Sequence, residues 1–315
     1  YELNLMPAPD VYDDGRSDPF IDGEVDSQDR RFGVLYATDR LPAEEGDERY
    51  PNYTNDRGHV VRLGEANFEF AFDEPIDWEV ARQMSLLKNR TEDYPLKVAS
   101  VEEFGPFLPT VRPFDEYVER TVAPADRFVD EINERLEVTR TRDVYIYVHG
   151  YRVDFENPAL VASELWHFLG YNGAFVTYSW PTSTSRIAYI ADIESAVTSA
   201  RGLRMLITHI SEFSHAERIH VIGFSAGTRL VSRALADLGM FAYGLHEDEI
   251  RSKVKLGHVI LIGSDVDRPL LGGFLLDGVL NILDSLAIYA SGTDEALGMS
   301  SLLLRRYRTG QVEDI

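Results

Sequence analysis

The sequence predicts an α/β fold with a mostly parallel central sheet and helices on both faces, and three observations lead to this prediction. From residue 141 onward, apolar runs rich in β-branched and aromatic residues alternate with amphipathic helical segments, as in a parallel sheet covered on both sides. The chain has 315 residues, of which 44% are apolar, so it can bury a substantial core. A Gly-x-Ser-x-Gly turn at 223–227 joins one apolar run directly to a helical segment.

The first 140 residues are less regular than the rest. We expect residues 1–30, which are rich in Asp, Pro and Gly, to form an extended arm. A single domain over 31–315 would follow, with edge strands and an irregular insert in 31–140 and its core in 141–315. The elements predicted in the first part are a strand over 31–40, a loop over 41–65, a strand over 66–72 and a helical segment over 114–140, with 73–112 unassigned. Pro124 predicts a break in that helical segment.

The second part predicts regular alternation. We expect strands over 143–150, 173–180, 218–225, 258–265 and 285–294, and helices over 157–170, 187–213, 226–241, 270–283 and 296–308. Asn157 is a plausible cap for its helix, with Pro158 in the first turn and Gly170 at the end. The acidic stretch at 246–249 is interpreted as a solvated loop.

Composition restricts the classes of partner. The chain carries 31 Lys and Arg against 53 Asp and Glu, for a net charge of -22, which should repel nucleic acid and anionic lipid. No apolar run reaches 18 residues, so we expect no transmembrane segment. The lack of cysteine excludes disulfides and thiolate chemistry, and we see neither a metal cluster nor a cofactor motif. The sequence does not indicate an oligomeric state.

The start of the chain bears on its processing. It begins with Tyr1 rather than Met, which suggests a processed product from which a signal segment has been removed. An extracytoplasmic or secreted location is therefore one interpretation, and a cytoplasmic one is the alternative.

Ser225 stands at a sharp corner between an apolar strand and a helix. Such a turn needs small neighbours, here Gly223 and Gly227, and it presents the serine hydroxyl at the carboxyl edge of the sheet, where α/β proteins bind ligands. The N–H of Ala226 then lies at a helix N-terminus, where it can stabilise an oxyanion. This pattern predicts a nucleophilic serine.

A second oxyanion donor should come from the loop after an earlier strand. The sequence His149-Gly150-Tyr151 ends the strand that begins at 143, and the N–H of Tyr151 is our candidate. His149 precedes the serine, against the order Ser, acid, His that is usual in this architecture. We therefore interpret His149 and Gly150 as support for the oxyanion loop rather than as catalytic groups.

The acid should follow a strand beyond the nucleophile. Asp265 ends one such strand and Asp294 follows another. The later strand end is the commoner position, which favours Asp294 and leaves Asp265 as the alternative. A turn or a helix cap would also explain either aspartate.

Several motifs lie along the chain: His149-Gly150-Tyr151, Phe155-Glu156, Ser179-Trp180-Pro181, the Tyr189/Asp192/Ser195/Ala196 helix, the elbow at Ser225, and the stretches NLMPAPDVY at 4–12 and LYATDR at 35–40. Together they resemble a poorly characterised esterase/lipase-like branch of the α/β-hydrolase superfamily, over nearly the whole chain and most specifically in its middle. The resemblance implies an α/β-hydrolase fold and a serine hydrolase of small-molecule esters without a cofactor, with amides or peptides as second choice. It also strengthens Asp294 as the acid. Phe224 and Ala226 replace the His and Met that the family usually has, and Phe224, Trp180 and Tyr189 are pocket candidates.

The catalytic histidine is missing from the expected place. The eight histidines are His59, His149, His167, His209, His215, His220, His246 and His258, and none follows Asp294. A serine hydroxyl is a poor nucleophile without a base. We expect that a last strand and a histidine loop lie beyond Ile315. The alternative is a non-catalytic binding or scaffold protein on a hydrolase fold.

Overall fold

The computed structural model describes residues 2–12, 16–19, 33–70, 95–109, 123–183 and 189–290. Its strands are β1 (Glu2–Asn4), β2 (Gly33–Pro42), β3 (Tyr53–Phe70), β4 (Pro95–Pro109), β5 (Asp143–Val148), β6 (Ala174–Ser179), β7 (Arg218–Phe224), β8 (Leu256–Ile262) and β9 (Leu283–Tyr289). Its helices are α1 (Ala123–Glu137), α2 (Glu156–Phe168), α3 (Tyr189–Phe213), α4 (Gly227–Phe241), α5 (Glu247–Val254) and α6 (Arg268–Leu276). Short 3-10 turns cover Asp10–Tyr12 and Val279–Asn281.

The strands of the described residues form one sheet in the order β1-β4-β3-β2-β6-β5-β7-β8-β9. Strands β2, β6, β5, β7, β8 and β9 pair in parallel, whereas β1, β3 and β4 join by antiparallel pairing. The predicted α/β class with a mostly parallel sheet is therefore confirmed. The carboxyl ends of β5, β7 and β8 lie at the same edge, with Val148 opposite Gly223 and Phe224 opposite Ile262.

The N-terminal third differs most from the prediction. The loop expected over 41–65 is wrong from Tyr53 onward, because β3 begins there. It pairs with β2 on one side and β4 on the other, through several register shifts. Pairing on both sides stabilises a strand whose own charged and glycine residues would not predict one. The expected arm also contains β1, which pairs with β4.

Three helix details differ as well. Pro124 lies in the first turn of α1, where proline fits without breaking the helix. Helix α2 begins at Glu156 after an N-cap at Phe155, so Asn157 is not its cap. The acidic stretch at 246–249 is not a loop, because its carboxylates lie in the first turn of α5 and suit that end of a helix dipole.

The core follows the alternation of strands and helices. Strand β6 is buried along its whole length, as expected for a strand between two neighbours and under helices on both faces. Within the described residues, no helix combines the length and the apolar character that crossing a bilayer requires.

Candidate active site

Ser225 occupies a sharp turn at the carboxyl edge of the sheet, between the end of β7 and the start of α4. Its φ is 50°, in the left-handed region that residues with a side chain rarely adopt and that often marks functional sites. The turn is held by its own backbone: Ser225 N donates to the carbonyl of Ile262 at 2.8 Å, and Ser225 O accepts from Thr228 N at 3.1 Å. The side chain is half-buried.

Two glycines allow the turn to touch the loop after β5. A Cβ on Gly227 would lie 2.2 Å from the carbonyl oxygen of His149 and 2.8 Å from that of Val148. A Cβ on Gly150 would lie 3.0 Å from the Cβ of Ser225. The turn and the loop are thus in backbone contact, and a side chain at either position would separate them. A Cβ on Gly223 would meet Val231 at 3.1 Å, a milder clash.

Thr228 ties the turn to the loop after β8. Its hydroxyl donates to Ser225 O at 2.5 Å and accepts from the backbone N–H of Asp265 at 3.1 Å. The side chain is fully buried. Sequence reasoning missed this residue, since a threonine in the first turn of a helix gives no signal of such a role.

The N–H of Ala226 lies at the N-terminus of α4, since Ala226 is the N-cap residue of that helix. The first N–H groups of a helix have no partner within it. Among the described residues, no hydrogen bond uses this N–H as a donor. It is thus available to a negatively charged group above the turn.

His149 is buried below the loop rather than displayed at the edge. Its Nδ1 lies 2.6 Å from the carbonyl oxygen of Gly150, and its ring stacks on Trp180 at 5.5 Å. The indole of Trp180 donates to the carbonyl of His149 at 2.7 Å. Burial, and after it the charge of Arg40, lowers the pKa of His149 well below its usual value. The imidazole is therefore neutral at physiological pH.

Arg40 lies fully buried at the end of β2 and contacts the same loop. Its Nη2 donates to the carbonyl of Val153 at 2.7 Å and lies 3.5 Å from Nε2 of His149. Its Nε donates to the Ser179 hydroxyl at 3.1 Å. Burial lowers the pKa of Arg40 to about 10, against the opposing charges of Asp154 and other nearby carboxylates. In the sequence, Arg40 ends an apolar run and the LYATDR motif at 35–40, and a charge in that position usually means a solvated residue.

Of the two candidate acids, the structure describes Asp265 but not Asp294. Asp265 is buried, and its carboxylate accepts from Nε of Arg229 at 2.8 Å. Its neighbour Asp267 caps α6 by accepting from Leu270 N at 3.3 Å. Asp294 lies outside the described residues, after the end of β9 at Tyr289.

All eight histidines lie in the described part of the chain, and no hydrogen bond there joins any of them to the Ser225 hydroxyl. The others have partners or positions elsewhere: His167 with Tyr171, His209 with the Ala125 carbonyl, His220 with His258 N, His258 with the Ser285 hydroxyl, His246 at the start of α5, and His59 and His215 at exposed positions. None of the eight histidines is therefore placed as a base for the Ser225 hydroxyl in the described part of the chain.

The pocket candidates separate in the structure. Phe224 is 45% exposed beside Ser225, whereas Trp180 is fully buried and supports the loop instead of lining an opening. Tyr189 begins α3, and its side chain is outside the described part of the chain. A cavity of about 630 Å³ lies at the opposite ends of β7–β9, lined by Arg218, Lys255 and Asp284 among others, and Ser225 does not line it.

Among the residues that the structure describes, no three His, Asp or Glu side chains come together in a way that could hold a metal ion. The chemistry described at the sheet edge is that of the Ser225 hydroxyl and of the Ala226 N–H. Such an arrangement suits attack on a carbonyl with stabilisation of the resulting oxyanion.

Comparison with known families agrees with this geometry. A family model described as "Alpha/beta hydrolase of unknown function (DUF900)" matches residues 125–315, which is more than half of the chain. No curated relative matches the chain. The matched segment contains the elbow, the loop after β5 and strands β5 to β9, while Arg40 and strands β1 to β4 precede it. The chain therefore has the α/β-hydrolase fold and belongs to the DUF900 family of α/β hydrolases.

Proposed function

We propose that the protein is a serine hydrolase that cleaves carboxylic esters through an acyl-enzyme on Ser225. The observation that carries this proposal is the φ of 50° at Ser225, in a turn that packs its Cβ against Gly150. A strained serine between a strand and a helix is the arrangement of a nucleophile elbow. Esters are favoured over amides because an alcohol leaves with less help from a proton donor than an amine does.

In the proposed reaction, Oγ of Ser225 attacks the ester carbonyl carbon while a base takes the hydroxyl proton. The carbonyl electron pair moves to oxygen, and the N–H groups of Ala226 and Tyr151 stabilise the oxyanion. The tetrahedral intermediate then expels the alcohol, which takes the proton from the base. Water repeats these steps on the acyl-enzyme and releases the carboxylic acid, which restores the Ser225 hydroxyl.

The base is the part of this scheme that the described geometry does not supply. His149, whose loop contacts the turn, has its ring nitrogens directed at the Gly150 carbonyl and at Arg40. This observation favours the second candidate function, a binding or scaffold protein that keeps the fold without catalysis. The two candidates differ in whether Ser225 can be made to react.

A fluorophosphonate probe distinguishes these two functions. We expect it to label the protein at Ser225, and to label it faster when imidazole is added, because imidazole in solution can take the proton that no described histidine is placed to take. The variant Ser225→Ala should lose the label, as read by mass spectrometry of the modified peptide.

Ser285→Ala is the matched control. Ser285, unlike Ser225, has a histidine partner among the described residues, with 2.7 Å between its hydroxyl and Nδ1 of His258, but it lies within β9 and has no sharp turn. Its replacement should leave labelling unchanged. A folded wild-type protein that resists the probe with and without imidazole would support the scaffold function, as would equal labelling of the Ser225→Ala variant.

We propose Asp294 as the acid that orients the imidazole. It follows β9, the strand beside β8 at the edge where Ser225 lies, whereas the carboxylate of Asp265 is already paired with Arg229. With imidazole added, Asp294→Asn should lower the labelling rate by about 10²-fold, since a carboxylate stabilises the imidazolium that forms. The melting temperature should change little.

The matched variant is Asp265→Asn. It weakens a buried ion pair, so its main effect should be on the unfolding midpoint rather than on the labelling rate at a temperature where it is folded. If Asp265→Asn removed reactivity and Asp294→Asn did not, the assignment of the acid would be reversed.

A further inference from the structure

The buried guanidinium of Arg40 contacts the loop after β5 at two places, His149 and Val153. Arg40 donates from Nη2 to the Val153 carbonyl at 2.7 Å and faces Nε2 of His149 at 3.5 Å, at the long end of the hydrogen-bond range. Its Nε donates to the Ser179 hydroxyl, so the guanidinium group cannot rotate freely. Val153 also receives support from Thr182, whose hydroxyl accepts from Val153 N at 3.2 Å.

The partners of His149 assign its tautomer. A carbonyl oxygen only accepts, so the hydrogen between His149 and Gly150 O must be on Nδ1. A guanidinium only donates, so Nη2 of Arg40 at 3.5 Å favours a lone pair on Nε2, in competition with the backbone of Trp180, which also accepts from the ring. The ring is thus neutral and protonated at Nδ1, and a proton on Nε2 would confront the N–H groups of Arg40.

The bond from His149 fixes a peptide that also contains the proposed oxyanion donor. The carbonyl of Gly150 and the N–H of Tyr151 belong to one planar trans peptide, so they point in opposite directions. Gly150 has no side chain to restrict rotation of that peptide, and it lies against Ser225. The hydrogen bond from Nδ1 at 2.6 Å therefore helps to fix the direction of the Tyr151 N–H.

We propose that Arg40 is a positioning residue: it holds His149 in the Nδ1–H tautomer, and His149 in turn holds the Gly150–Tyr151 peptide with its N–H toward the oxyanion. This inference rests on the proposed function, since the oxyanion is that of acyl transfer on Ser225. It gives the N-terminal strands, which precede the family match, a part in the reaction. Arg40 acts through His149 and does not itself contact the substrate.

Two substitutions of His149 isolate the Nδ1 donor. In His149→Asn the amide nitrogen is as many bonds from the backbone as Nδ1, so it can still donate to Gly150 O. In His149→Gln the nitrogen corresponds to Nε2 and cannot. With a short-chain p-nitrophenyl ester and added imidazole, we expect kcat of His149→Asn within about 10-fold of wild type. For His149→Gln we expect a loss of about 10²-fold at nearly unchanged KM, the effect of losing one oxyanion donor.

The positioning role of Arg40 is tested by measuring the tautomer of His149. In wild-type protein labelled with ¹⁵N-histidine, NMR should show His149 protonated at Nδ1 only. In Arg40→Met the Nε2–H form should appear and kcat should fall by about 10- to 100-fold, whereas Arg40→Lys, which keeps one donor, should restore part of the rate. Should Arg40→Met fail to fold, the tautomer of His149 in wild type and in Arg40→Lys still tests the role of Arg40, and the two His149 variants test the Nδ1 donor.

The amide signal of Tyr151 separates this inference from the proposed function. A shift of that signal in His149→Gln but not in His149→Asn supports the positioning role whether or not the protein hydrolyses the ester. Equal signals and equal rates in the two variants, or a wild-type His149 protonated at Nε2, overturn it. An unreactive Ser225 with the expected shift of the Tyr151 signal would overturn the proposed function alone.

Discussion

Replacing Gly227 by alanine is expected to lower the free energy of unfolding by about 3 kcal/mol or more. The added methyl group would lie 2.2 Å from the carbonyl oxygen of His149 and 2.8 Å from that of Val148. Both obstacles are backbone atoms at the end of β5, in the middle of the sheet, so no side-chain rotation can relieve the clash. The turn and the loop must therefore move apart.

Gly239→Ala is the matched control for Gly227→Ala, since both positions are in α4. A Cβ on Gly239 would meet only ordinary contacts, at 3.4 to 3.5 Å from Gly278 and Val279. Alanine is favoured over glycine inside a helix by up to about 1 kcal/mol, so this variant should be as stable as wild type or more so. Urea denaturation measures both. A Gly227→Ala protein as stable as Gly239→Ala would contradict the backbone contact described here.

A second large loss is expected from Arg135→Met. Arg135 on α1 forms ion pairs with Glu65 on β3, at 2.5 Å, and with Glu131, at 2.7 Å. All three side chains are at most 9% exposed. Without the guanidinium, two buried carboxylates lose their shared ion-pair partner, and we expect a loss of about 3 to 5 kcal/mol of stability.

The control for Arg135→Met is Arg233→Met. Arg233 also pairs with a carboxylate four residues on, Asp237 at 3.1 Å, but the arginine side chain is 51% exposed. An exposed pair contributes less than about 1 kcal/mol, so the melting temperature should hardly change. Equal shifts in the two variants would mean that the environment of Arg135 is more hydrated than the structure indicates.

Much of the parallel half of the fold could be predicted from the sequence, because its signals are local. The run before Ser225 is apolar, the turn carries its glycines at fixed offsets, and the helix follows at once. Strand β3 could not be predicted in the same way. Its first half carries charge and Gly58, and it is a strand because β2 and β4 pair with it on either side.

The same difference between local signals and long-range contacts applies to the candidate site. The serine corner and the loop at 149–151 are motifs of neighbouring residues, which a sequence pattern can indicate. The contact of Arg40 with Val153 spans 113 residues, and the LYATDR motif that ends at Arg40 does not indicate that partner. The sequence indicates Trp180 as a candidate for the pocket wall, and the structure places it as a buried support. The reason is again a partner distant in the chain, the carbonyl of His149, which lies 31 residues earlier.

The position of β2 decides where this protein can be divided. Strand β6 is buried along its length between β2 and β5, yet the family match begins at residue 125, well after β2. A fragment that begins at residue 125 would lack β2. The apolar strand β6 would then lie at the edge of the sheet with unpaired amide and carbonyl groups, to which strands of other chains could pair. We therefore expect the unit that folds by itself to start earlier than the segment by which the family is recognised, and a fragment truncated at residue 125 to be prone to aggregate.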